Sequence, residues 1–128
     1  MDWMPQYQED ILPDAKPPLD THAHTAFDSQ HWSTPESQPQ GGCSYGVGFT
    51  ISWQHGPLVR EGKRYAPNGA FVEAIVGAAV DRLVFYQHSP YATTENDEAI
   101  EHLQAALRAM HRRTDDRVKR QVEGTYGK

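Results

Sequence analysis

"GAFVEAIVGAAVDRLVFYQH", residues 69–88, decides the fold. Val72, Ile75, Val76, Ala79, Leu83 and Tyr86 recur at the three- and four-residue spacing of one helical face. Phe71, Val80, Val84 and Phe85 carry apolar character onto the other faces, and only Glu73, Asp81, Arg82 and the last few residues are strongly polar. A helix apolar nearly all round must be covered on more than one side. One small sheet and one sister helix give too little cover, so the pattern calls for an oligomer. Asn68, just ahead of the run, is suited to act as N-cap, because its side chain can accept from a free first-turn amide.

Towards the C-terminus, "SPYATT" (89–94) is a short connection. Thr94 is a candidate N-cap with Asp97 three residues on, close to a capping box. A second helix is predicted over 95–117, with Ala99, Ile100, Leu103, Ala106, Leu107 and Met110 as its stripe. The short loop makes the two helices an antiparallel hairpin.

Towards the N-terminus, Phe49, Ile51 and Trp53 alternate with Thr50, Ser52 and Gln54, the pattern of a strand with one buried face. "LVREGKRY" reads as a hairpin with Glu61–Gly62 at its turn. The predicted fold class is therefore α+β: a small antiparallel β-sheet over 45–66, then the helical hairpin, in an oligomer. "GGCSYGVG" (41–48) is glycine-rich but precedes a strand, where a phosphate loop would precede a helix. It reads as a site of close backbone approach or flexibility. Residues 41–128 form the expected domain. Residues 1–40 hold most of the nine prolines and read as a flexible or loosely docked acidic tail.

The formal net charge of −5 speaks against a general nucleic-acid coat, which needs broad positive charge. Cys43 is the one cysteine, so no intrachain disulfide or cysteine-rich metal knuckle is possible, which suits a reducing cytosol. No 18-residue apolar run and no signal-peptide pattern is visible, so no membrane partner is expected. There is no Walker A, HExxH or GxSxG motif.

Three constellations carry possible chemistry. His22, His24 and His31, with Asp20 and Asp28, have metal-ligand types, but in a segment with no rigid element to fix them. They are read as a solvated tail, with no metal site. Cys43 and His55 can be imagined as a pair, but no third group orients the base. "HRRTDDRVKR" (111–120) concentrates positive charge late in an acidic chain. Continued helix puts Arg113, Arg117 and Arg120 on one face, with Asp115 and Asp116 pointing elsewhere. Guanidinium forks at 113 and 117 suit a phosphate, yet arginines at a helix end also suit the helix dipole, or a protein interface.

Tyr86 ends the first helix and Asn96 opens the second, so both sit at the loop end of the hairpin. Asn96 to Arg113 is 17 residues, about 25 Å of helix. One protomer cannot bring these groups around one small ligand, whereas an antiparallel neighbour can.

"GFTISWQHGPL", "NGAFVEAIVGAAVDRLVFYQ" and the run from Glu95 to Lys128 together resemble the phage Thoeris anti-defence 1 family, over about residues 45–127. The helical half also resembles the hairpin domain of the anti-CBASS protein 2 sponges. The resemblance implies a non-enzymatic sponge that sequesters glycocyclic ADP-ribose signals in the cytoplasm of the infected bacterial host. It implies no cofactor, pockets between protomers of a homodimer or hexamer, and separate sites for CBASS cyclic oligonucleotides in hexameric members. It places the family's ligand aromatic at Tyr86, its asparagine at Asn96, its late arginine pair at Arg113 and Arg117, and a hairpin base at or beside Arg60. Tyr86, with Trp53, would then stack on adenine. "YATTEND" (91–97) departs from the commoner cysteine–arginine–glutamate–asparagine run of the family. The rival readings are a phosphodiesterase that degrades a cyclic nucleotide, and a helical-hairpin adaptor for protein or nucleic acid.

Overall fold

The computed structural model describes residues 24–128. In chain order the elements are β1 (Phe27–Ser33), β2 (Pro39–Gly46), β3 (Phe49–Trp53), β4 (Val59–Arg60), β5 (Lys63–Arg64), α1 (Val72–Gln87) and α2 (Thr94–Lys119). The architecture is α+β, a small antiparallel sheet and a two-stranded hairpin followed by two helices, as the hydrophobic pattern predicts.

β2 lies between β1 and β3, antiparallel to both. The register aligns Ser29, Ser44 and Ile51 across the sheet, and His31, Gly42 and Trp53 in the next row of the same face. On that face the Ser29 and Ser44 hydroxyls lie 2.7 Å apart, and the Trp53 indole N–H donates to Ser44 Oγ at 2.9 Å. Gly42 has φ +137°, and a Cβ there would sit 2.1 Å from the Gln30 carbonyl oxygen. β1 and β2 can come this close only because that position is glycine.

β1 and the start of β2 fall within 1–40, the segment read as a tail. From Phe27 onward the structure replaces that reading with strands. Every side chain of "FDSQHWS" in β1 is exposed, so no apolar alternation marks it. Main-chain pairing to β2, with the Ser29–Ser44 hydroxyl bond, holds it instead. "GGCSYG" precedes the strand β3, as expected, and itself belongs to a strand, β2. Residues 1–23, with the tail reading made for them and with His22, lie outside the described residues.

The β4–β5 hairpin turns at Glu61 (φ +52°) and Gly62 (φ +75°). Two successive positive φ values match a type I′ turn, whose twist suits a two-residue hairpin. After it the chain touches β3 again: Gln54 N donates to Ala70 O at 3.0 Å, and Ala70 N to Ser52 O at 2.7 Å. Asn68 does not cap α1. Its Oδ1 accepts from His55 N at 2.8 Å and its Nδ2 donates to His55 O at 3.0 Å. That two-bond clasp holds Asn68 before the helix begins, and Phe71 takes the cap position without a side-chain bond. α2 is capped one residue earlier than expected, with Thr93 Oγ1 accepting from Asn96 N at 3.0 Å.

The helices are antiparallel. Glu73 near the start of α1 faces Arg113 near the end of α2, and Gln87 at the end of α1 bonds Asp97 in the first turn of α2. Among the described residues Leu58 is the one buried apolar side chain, and neither helix buries a residue. Phe71, Val72, Ile75, Val84 and Phe85 are all exposed. Among the described residues no helix is long and apolar enough to cross a membrane.

Candidate functional site

At the loop end, Tyr86, Tyr91 and Asn96 line an open hollow of about 370 Å³. The organiser is Gln87, which the sequence pattern does not single out. Its Nε2 donates to Thr93 O at 2.8 Å and Asp97 Oδ1 at 2.7 Å, and its Oε1 accepts from Thr93 N at 3.0 Å. Asn96 Nδ2 donates to the same Oε1 at 3.1 Å and to Tyr91 O at 3.4 Å. With its amide nitrogen so engaged, Asn96 has its Oδ1 acceptor to offer a ligand. Arg82 lies 5.0 Å from the Tyr86 ring and 4.8 Å from Phe85, close enough for cation–π attraction. Arg82 stands three residues before Phe85 and four before Tyr86, so helical spacing alone is the signal that could have placed it on this surface.

At the other end, a cavity of about 670 Å³ lies between the end of α2, the C-terminal loop, the start of α1 and the turn after β3. Arg113 and Arg117 both border it, as their spacing predicts, but they differ in commitment. Arg117 Nη1 donates to Gly127 O at 2.7 Å, and its Nη2 to Val122 O at 2.9 Å and Thr125 O at 3.0 Å. It therefore shapes the loop that forms one cavity wall. Arg113 has an ion pair with Glu73 at 3.5 Å, longer than a hydrogen bond to a carboxylate, and remains largely exposed. Arg120 does not border the cavity. It donates to Asp116 Oδ2 at 2.9 Å and to the Lys128 carbonyl, so Asp116 is no bystander to the basic face.

The C-terminal loop is tied to both parts of the β structure. Val59 N donates to Gly124 O at 2.8 Å, and the Tyr126 hydroxyl to Pro39 O at 2.9 Å. Arg64 forks onto Glu123 at 2.6 and 2.8 Å. That hydrogen bonding, with the attraction of the two charges, holds the Glu123 carboxyl below its ordinary range and raises the Arg64 guanidinium. Sequence reasoning missed this pair, which joins residues 59 positions apart.

The remaining expected residues fall elsewhere. Arg60 stacks on Tyr65, 4.0 Å from the ring centroid, and borders neither hollow. Trp53 is fixed by Ser44 and bridges Ala70, two residues ahead of α1. Tyr86 is 14 residues beyond the first residue of that helix, about 21 Å along it. Within one chain Trp53 and Tyr86 therefore do not flank the same ring. His55 packs edge-on against Trp32 at 6.4 Å, and Cys43 pairs across the sheet with Ser52. Among the described residues no group of three or more His, Cys, Asp or Glu side chains converges as a metal cluster.

The chain is thus a small α+β protein with two separate concave surfaces at opposite ends of one helical hairpin, aromatic–amide at one end and arginine-bearing at the other. It is 35% identical over 79 residues to "Thoeris anti-defense 1" of Bacillus phage SBSphiJ7, a stretch that makes up 62% of this chain and 53% of that protein. This supports membership of the Thoeris anti-defence 1 family, the family that the sequence resembles. The chain spans about half the length of the curated relative it matches. No family model matches the chain.

Proposed function

We propose that this chain is a phage anti-Thoeris protein that binds a glycocyclic ADP-ribose signal in the infected host and holds it without cleaving it. The observation that carries the reading is the division of the candidate ligand groups between two incomplete hollows. Tyr86 and Asn96, which the resemblance implies as the base-binding pair, border one hollow, and Arg113 and Arg117, its phosphate-binding pair, border the other. An antiparallel second copy would set the Tyr86–Asn96 end of one subunit against the Arg113 cavity of its partner. The exposed apolar faces of α1 support such an assembly, a homodimer or a hexamer, because a single chain leaves them in water. The name of the phage relative supports the anti-Thoeris role.

In this reading Tyr86 stacks on adenine, and Asn96 Oδ1 accepts from the exocyclic amine of the base or from a ribose hydroxyl. Arg113 binds the diphosphate, and Arg117 holds the wall against which it sits. Sequestration asks for no nucleophile or general base. Calorimetry with the glycocyclic ADP-ribose isomers, followed by denaturation and mass spectrometry of the released ligand, tests it. Tight binding and recovery of intact ligand are expected. A cleaved product would favour the phosphodiesterase reading, and no binding of any isomer would end the proposal. Cyclic GMP-AMP and cyclic tri-adenylate in the same titration decide whether CBASS signals are ligands as well.

A further inference from the structure

Arg113 and Arg117 border the larger cavity, Arg64 stands behind its wall residue Glu123, and each of the three has a different counterpart. Arg64 is matched by Glu123 through two short bonds, and Arg117 by three main-chain carbonyls. Among the described residues Arg113 is matched only by Glu73, at 3.5 Å. Glu73 is the more sheltered partner, with its side chain 24% exposed against 62% for Arg113. It lies in the first turn of α1, whose cap supplies no side-chain bond, so its carboxylate is well placed against the positive end of the helix dipole. A fixed negative charge therefore lines the same cavity as the guanidinium that would hold a phosphate.

An anion drawn to Arg113 meets Glu73 at contact distance. Like charges set side by side repel, which acts against a bare diphosphate. A ligand that carries hydroxyl donors beside its diphosphate changes the sign of the contact. The carboxylate can then accept from one or two hydroxyls while Arg113 takes the phosphate. We propose that Glu73 is a specificity-determining residue, which accepts from sugar hydroxyls next to the diphosphate and rejects diphosphates that lack such donors. The inference rests on the reading above, that Arg113 is the phosphate-binding group.

The test is calorimetry on the full chain in magnesium-free buffer, with ADP-ribose and inorganic pyrophosphate as probes. The proteins are wild type, Glu73→Gln, Glu73→Asp and Arg113→Ala, with unchanged circular-dichroism melts as the folding check. Wild type is expected to prefer ADP-ribose. Glu73→Gln keeps the shape and removes the charge, so pyrophosphate affinity should rise about tenfold or more while ADP-ribose affinity falls. Glu73→Asp keeps the charge and should still reject pyrophosphate. An unchanged preference in Glu73→Gln, with both affinities moving together or not at all, overturns the proposal and leaves the Arg113 reading standing. Equal ADP-ribose binding by wild type and Arg113→Ala, or none by wild type, overturns both.

Discussion

Replacing Arg117 with alanine separates a wall-forming role from a purely ligand-contacting one. The guanidinium donates to the carbonyls of Val122, Thr125 and Gly127, all partly buried. A hydrogen bond from a charged donor contributes roughly 1.5–3 kcal/mol when its partner would otherwise stay unpaired. These carbonyls can rehydrate once the side chain is gone, so about 2–3 kcal/mol for the three together is the reasonable magnitude. The loop keeps its ties at Gly124, Glu123 and Tyr126, so it should loosen without unfolding the domain. Native-state hydrogen exchange reads this directly. The amides of Val122, Thr125 and Gly127 are bonded to Arg117 O, Val122 O and Thr125 Oγ1. Their protection should drop by about 30- to 100-fold, at 1.4 kcal/mol per decade, with the helix-centre amides of α2 unchanged. Arg117→Lys should recover little, since a compact ammonium cannot span three carbonyls as a planar fork does. Undiminished loop protection in Arg117→Ala, in the absence of any ligand, would refute the wall-forming role.

Glu123→Gln should lower the melting temperature slightly at neutral pH, because the Arg64–Glu123 pair is exposed and surface pairs contribute little. The folded-state carboxyl lies below its ordinary value of 4.5, so its contribution is complete above that value and is lost as pH falls through the lowered one. The gap between wild type and variant should therefore close in acid, and a gap that widens there would contradict the assignment. Gly42→Ala places a methyl 2.1 Å from the Gln30 carbonyl oxygen at φ +137°, so it should cost about 2–4 kcal/mol and release β1. Thermal melts and exchange at the amides of β1 measure this, and an unaltered melt would show that the strand approach is not what glycine serves.

Much of the fold was legible because burial and turn chemistry leave periodic marks. Glu61–Gly62 announced its hairpin, and the apolar spacing after Phe71 announced α1. β1 left no mark, since "FDSQHWS" is held by main-chain pairing and by contacts such as Ser29–Ser44, with no apolar face buried. Both expected caps fall elsewhere for local reasons. Asn68 is drawn to the His55 main chain, and Thr94 is already the first residue of α2, so the extended Thr93 just ahead of it caps the helix. At the candidate site, helical spacing correctly put Arg113 and Arg117 on one cavity and Tyr86 and Asn96 on another. It could not show that Arg117 bonds main-chain carbonyls, because any sequence supplies carbonyls. Gln87, Glu73 and the Arg64–Glu123 pair were equally hidden, as each acts through a contact between elements that no short motif encodes.

The central claim is a ligand site completed by a second copy of the chain, and mixing two defective variants tests it most directly. Arg113→Ala removes the proposed phosphate-binding group from one half of the pocket, and Tyr86→Ala removes the proposed stacking ring from the other. Each alone should lose most of its binding to glycocyclic ADP-ribose. Subunit exchange between them creates one pocket with both changes and one with neither, so the mixture should regain wild-type affinity at a fraction of the sites. A mixture that binds no better than its two components would contradict a pocket shared between subunits.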